Sequence, residues 1–309
     1  MIRRTMGYMR DWIMVQQSRR WLLGVLALAA YLHAASCVSA ETRNLYQKKS
    51  EYNVVIVRED SDGMRSLIFE ENGAEQTSID MKDPSRLVHA YARAIMSSLA
   101  VKPKPNRMLI VGLGGGVMPT FLRRNCPDSY IDVAELDPEV FSVAVKFFNF
   151  REDQRMKVHI GDGRKFIEDT RNRYDIIFLD AYGSDSIPYM LATKEFMVAV
   201  RAKLADGGIV VSNVWGSGSN KLYGSMVRTY EAVFEELHII RAPLSENRIH
   251  IALPKKAGLT KAKLIDMAGA VEGNLKPRVD LSGIMGAGYQ DAAGVEDGKV
   301  LLDKDAPKD

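Results

Sequence analysis

Three carboxylates, Glu135, Asp162 and Asp180, each close a short apolar run: "YIDVAEL", "KVHIGD" and "YDIIFLD". A fourth run, "RMLIV", opens instead into Gly112, Gly114, Gly115 and Gly116 and then resumes with helical spacing. Glycines at such a break remove side chains where a strand turns sharply into a helix, and they let a ligand touch backbone. Glu135 stands 19 residues beyond Gly116. At that interval a carboxylate can accept both hydroxyls of an unphosphorylated ribose, so NAD and S-adenosylmethionine suit it equally. Asp162 lies between Gly161 and Gly163; these neighbours expose it, so that its oxygen or the adjacent backbone can meet an adenine amino group. The loop alone does not choose among dinucleotides, nucleotide phosphates and S-adenosylmethionine. The row of acids at strand ends points to a nucleoside site.

Strands and helices must alternate to hold that row. After "RMLIVGL" the pattern predicts a helix to about Asn125, the strand "YIDVAEL", a helix over 138–148, and the strand "KVHIG". A helix over 164–171, the strand "YDIIFLDAY", a helix over about 193–204, "GGIVVSNVW", a helix over 221–236, and the closing strands "LHIIRAP" and "RIHIALP" complete it. Such alternation gives an α/β fold with a mostly parallel sheet covered on both faces, whose ligands bind beyond the carboxyl ends of the strands. Ahead of it, "NVVIVRED" and "RSLIFEENGAEQTSID", with turns at Ser61-Asp62-Gly63 and Asn72-Gly73, predict a small antiparallel β hairpin domain over 45–82. Residues 84–100 carry helical spacing, and Pro103 and Pro105 mark a linker. The Rossmann-like domain is expected over 83–255, followed by a polar C-terminal extension over 256–309, with one helix near 260–270 and a mobile end.

The net charge of +3 over 309 residues misleads. Residues 1–40 hold Arg3, Arg4, Arg10, Arg19 and Arg20 against Asp11, a net +4, so the remainder carries −1 and no nucleic-acid footprint. An arginine pair, an apolar stretch from Trp21 to about Ser36 and small residues at Val38-Ser39-Ala40 read as an export signal cut after Ala40. The arginine pair resembles a twin-arginine signal. The expected location is exported or periplasmic, with membrane contact only through this segment; a retained anchor or a cytoplasmic protein is the alternative. Such a cut removes Cys37 and leaves Cys126 alone, so neither a disulfide framework nor a cysteine metal site can be built.

The order hairpin domain, "VGLGGG", "VAELDPEV", "GDGRKFI", "YDIIFLDAYGSDSIP" and "LADGGIVVSN" resembles the spermidine synthase (polyamine aminopropyltransferase) family over about residues 50–255, most closely its bacterial spermidine synthase-like domains. The resemblance implies a Rossmann-like sheet of the S-adenosylmethionine-dependent methyltransferase type. It implies decarboxylated S-adenosylmethionine as co-substrate, with the intact form as an alternative, a small-molecule diamine or polyamine as acceptor, and no metal; a homodimer is compatible with it. On this resemblance the loop glycines carry the co-substrate, Glu135 takes ribose, Asp162 and Gly163 lie at adenine, Asp180 faces the attacking amine, and Gln76 stands near the substrate. Three departures accompany it. The glycine loop is short and lacks the acid that pairs with the aminopropyl ammonium. The second carboxylate is Asp185, five residues past Asp180 rather than three. Aligned without gaps after Asp83, the positions of the family's pocket tyrosine and histidine hold Leu87 and Arg93. A methyltransferase using intact S-adenosylmethionine and a non-catalytic exported nucleoside- or polyamine-binding protein are the competing readings. Tyr182 and Trp215 are further candidates to line an amine pocket.

Overall fold

A computed structural model of the protein describes residues 42–181, 187–295 and 298–307. The expected leader, Tyr182 and Asp185 lie outside the described residues. The N-terminal part is a four-stranded antiparallel sheet in sequence order: β1 (Arg43–Lys49), β2 (Val54–Glu59), β3 (Met64–Phe69) and β4 (Glu75–Asp80). Strand β1 precedes the first strand expected from sequence, because "RNLYQKK" carries few apolar residues and stays exposed at the sheet edge. The inward residues Val55, Val57, Leu67, Phe69 and Ile79 pack on Val140, Val143 and Phe148.

The segment over 84–100, expected to be one helix, forms two short ones, α1 (Ala90–Ile95) and α2 (Ser98–Val101). Its first residues turn around Asp83, whose carboxylate accepts from Ser85 N at 3.2 Å and from Ser85 Oγ. Then follow β5 (Arg107–Val111), α3 (Val117–Asn125), β6 (Tyr130–Glu135), α4 (Pro138–Phe147), β7 (Met156–Ile160), α5 (Gly163–Asp169), β8 (Tyr174–Leu179), α6 (Lys194–Ala202) and β9 (Leu204–Trp215). Helix α7 (Tyr223–Glu231) ends five residues before the sequence pattern does, and β10 (Glu236–Arg241) and β11 (Asn247–Leu253) close the hairpin.

With β12 (Tyr289–Gln290) at its edge, the second sheet runs β12-β10-β11-β9-β8-β5-β6-β7. Strands β5 to β9 pair in parallel and β11 joins β9 antiparallel. Successive residues of one strand feed opposite layers. Met108 and Ile110 enter the larger core, and Leu109 and Val111 enter the one built with Phe196, Met197 and Val200 of α6. Burial on both faces is why these strands read as unbroken apolar runs.

Within the polar extension expected over 256–309, the segment 261–288 is instead part of the larger core. Helices α8 (Lys261–Glu272) and α9 (Leu281–Gly288) bury Leu264, Ala268, Leu281 and Met285, and β12 (Tyr289–Gln290) adds to the sheet. Residues 298–307 are also held, with Leu301 only 1% exposed. The abundant lysines and glycines of this stretch concealed an apolar face of few residues.

Candidate functional site

The chain leaves β5 toward β6 and β7 on one side and returns to β8 and β9 on the other. A crevice opens at that reversal. Gly112 N donates to Ala134 O at 2.8 Å, and Asp180 N donates to Val111 O at 2.9 Å, so the glycine loop and Asp180 lie side by side. Gly112 has φ +100°, and a Cβ there would sit 2.3 Å from Asp180 O. Gly115 N donates to Thr77 Oγ1 of β4 at 2.9 Å, which fastens the small sheet to the loop. A Cβ on Gly115 would meet Thr77 and Phe148, and one on Gly116 would meet Phe150 at 2.5 Å. Gly112 and Gly114 line the cavity; Gly115 and Gly116, expected at the ligand, do not, because the start of α3 turns them onto those rings.

The cavity measures about 700 Å³ and brings together Gln76, Gly112, Gly114, Glu135, Asp162, Gly163 and Asp180. Glu135 ends β6 and is 8% exposed. Its Oε2 accepts from Leu113 N and its Oε1 from Asp137 N, both at 2.8 Å. Burial outweighs these bonds and pushes the carboxyl up to about 7. Asp162 is the N-cap of α5, accepting from Lys165 N at 2.9 Å, while the residue also lines the cavity. Gly163 permits close packing: a Cβ there would lie 2.5 Å from Val111 Cγ1.

Asp180 follows β8. Asn213 Nδ2 donates to its Oδ1 at 3.0 Å, yet burial pushes the carboxyl up to about 7. Across from it stands Tyr91 of α1, whose hydroxyl donates to Gln76 O at 3.3 Å. Burial, reinforced by the Asp180 carboxylate, holds that hydroxyl well above its usual pKa. Tyr91 stacks on His89 at 5.6 Å, and His89 Nε2 is buried with no hydrogen-bond partner among the described residues. Leu87 and Arg93 are not at these places: Leu87 is in the core and Arg93 donates to Leu87 O at 2.7 Å. A tyrosine and a histidine therefore reach the cavity, but at 91 and 89. The signal was "VHAY" at the start of a helix too short to show periodicity. Asn213 and Asn247, which also line the cavity, carried no signal of their own.

The cavity wall is acidic. Glu75, Glu135, Asp137, Asp162, Asp180 and Glu246 contribute to it, against Arg164, which is engaged with Asp303 at 2.6 Å. Burial keeps the His89 imidazole below its usual pKa despite Glu75 nearby. Such a wall attracts a cation and disfavours an anionic ligand.

The profile of the spermine/spermidine synthase domain matches residues 88–234. A polyamine aminopropyltransferase of Vibrio vulnificus is 34% identical over 216 residues, covering 68% of this chain and 71% of that protein. An eEF1A lysine and N-terminal methyltransferase of Bos taurus is 31% identical over 213 residues, or 63% of this chain, which spans 30% of that longer protein. A spermidine synthase solved in complex with the transition-state analogue AdoDATO superposes with a TM-score of 0.64 at 18% identity, covering 82% of this chain and 86% of that one, and so shares the fold. With the Vibrio relative 34% identical over 71% of its own length and the profile covering the segment that carries Glu135, Asp162 and Asp180, the chain belongs to the spermidine synthase (polyamine aminopropyltransferase) family.

Proposed function

We propose that the protein transfers the aminopropyl group of decarboxylated S-adenosylmethionine to a diamine such as putrescine. The observation that carries this is the pairing of Glu135 and Asp180 at the ends of β6 and β8 in one acidic cavity. The residues present fit such a co-substrate. Glu135 holds a buried carboxylate whose two oxygens each have one backbone donor, leaving lone pairs for ribose hydroxyls. The bound sulfonium supplies the leaving group and an activated methylene carbon.

The chain's own work is on the amine. At pH 7 a primary amine is neutral in roughly one part in a thousand, a handicap of about 4 kcal/mol. Asp180 attracts the ammonium and takes one proton from it, which frees the nitrogen lone pair; the neutral amine, held on the carboxyl, then attacks the methylene carbon as the carbon–sulfur pair returns to sulfur. Tyr91 faces Asp180 with a hydroxyl that stays protonated, and so bounds the amine subsite without competing for its proton. Calorimetry with decarboxylated S-adenosylmethionine, S-adenosylmethionine, methylthioadenosine and NAD, followed by chromatography of products with putrescine, cadaverine and agmatine, tests the reading. Inactivity with all three amines overturns it.

A methyltransferase is the second reading, favoured by the Bos taurus relative and by a loop, Leu113-Gly114-Gly115, with no carboxylate to select an aminopropyl ammonium. Tighter binding of intact S-adenosylmethionine in the same titration supports it. We also propose export through residues 1–40, on the arginine pair and apolar run. The native protein should then begin at Glu41, and recovery of Arg19 peptides from it overturns that.

A further inference from the structure

The turn between β10 and β11 sends polar side chains back toward Asp180. Leu179 is in register with Ser212, so Asp180 falls beside Asn213. Asn213 pairs with Ile249 and Trp215 with Asn247 across β9 and β11, which makes Asn213 and Asn247 diagonal neighbours on one face. The bonds run in one direction. Ser245 Oγ donates to Asn247 Oδ1, Asn247 Nδ2 donates to Asn213 Oδ1 at 2.8 Å, and Asn213 Nδ2 donates to Asp180 Oδ1 at 3.0 Å. Asn213 is 3% exposed, so its amide depends on protein partners.

The charge on Asp180 dictates this polarity. An ionised carboxylate only accepts, so Asn213 must present its amino group; its carbonyl then needs a donor, and Asn247 supplies one. Asn247 in turn presents its oxygen to a hydroxyl. We propose that Asn213, Asn247 and Ser245 are positioning residues, a hydrogen-bond relay that orients Asp180 and favours its ionised form. This rests on the reading of Asp180 as the carboxylate that faces the amine. The same turn carries Glu246 on the cavity wall, and Gly216 N donates to Glu246 O at 2.7 Å, so the relay starts from a turn that also helps to build the acceptor side.

Other groups around Asp180 are retained in the variants that test this. Tyr91 faces it from α1; Glu135 from β6, Asp162 and Arg164 from α5, and Glu246 share the cavity. The Asp180 carboxyl titration is followed by ¹³C NMR in the unliganded full chain, alongside melting temperature, methylthioadenosine affinity and the pH profile of single turnover. Asn213→Leu should raise the Asp180 midpoint by about one pH unit through loss of a donor to the charged form. Asn247→Ala should raise it by less, since Asn213 keeps its bond to Asp180 and loses only the donor from Asn247 to its carbonyl. The double variant should match Asn213→Leu alone, because Asn247 acts only through Asn213. Methylthioadenosine affinity should stay within about twofold. An unmoved midpoint in Asn247→Ala, or additive shifts in the double variant, overturns the relay, as does a fall in melting temperature with the midpoint unchanged. Shifted midpoints in the variants, together with a wild-type protein that transfers nothing, would leave the relay standing and remove the proposed reaction.

Discussion

Asp180 and Glu135 carry the cost of burying a carboxylate. Each carboxyl is pushed up to about 7 by burial, so the folded protein holds these protons more tightly than the unfolded chain. That contribution to stability is fully present below the ordinary carboxylate range and is lost as pH rises through about 7. Asp180→Asn keeps an oxygen for Asn213 and removes the titration. The variant should therefore gain melting temperature over the wild type between pH 5 and pH 8 in parallel scans, while single turnover falls by about 10²-fold or more. In the wild type, single turnover should be roughly tenfold faster at pH 8 than at pH 6, since the carboxylate form takes up the proton. Glu135→Gln is a harsher change. Both Glu135 oxygens already accept a backbone N–H, and a glutamine must turn its amino group on one of them. Nucleoside affinity and melting temperature should fall together.

At the scale of elements, the glycines divide by what surrounds them. Gly112→Ala forces a side chain into φ +100° and to within 2.3 Å of Asp180 O, so it should cost about 1–3 kcal/mol and weaken methylthioadenosine binding in the same titration. Gly269 lies in the exposed part of α8 with nothing within 4 Å, and Gly269→Ala should raise stability by about 0.5–1 kcal/mol in denaturant titrations. Gly112, Gly114, Glu135 and Asp180 reach the cavity where the sequence puts them, because each lies at or just past the end of an apolar run, whereas Gly115 and Gly116 are turned away by the start of α3. Asn213 and Asn247 were not legible in the sequence. Their meeting depends on the antiparallel register of β9 and β11, which no single segment encodes. His89 and Tyr91 were missed for a related reason: α1 has only six residues, and its place over the cavity is set by the core it packs on.

On the scale of the whole molecule, the far C-terminal residues support the site. Lys194 N donates to Leu301 O at 2.8 Å and Leu301 N donates to Thr229 Oγ1 at 2.9 Å, which fixes the tail across α6 and α7. Two residues on, Asp303 accepts both terminal nitrogens of Arg164, at 2.9 and 2.6 Å, and Arg164 also donates to Met190 O at 3.2 Å; Arg164 and Met190 line the cavity. Leu301→Ala should cost about 2–5 kcal/mol, read as a drop of about 2–4 °C in melting temperature for each kcal/mol. Composition hid this role, since two leucines among lysines and aspartates look like solvent-facing tail.

The Arg164–Asp303 joint also orders events during synthesis. Its partners are 139 residues apart in the chain. Ribosomes add about 5–20 residues per second, so Arg164 waits roughly 7–30 s for its carboxylate. Strands β5 to β8 and their acids have all emerged by then. A nascent chain therefore carries every carboxylate of the cavity before it has the brace beside Asp162, and a ribosome that stalls short of residue 303 releases a protein with the nucleoside wall unbraced.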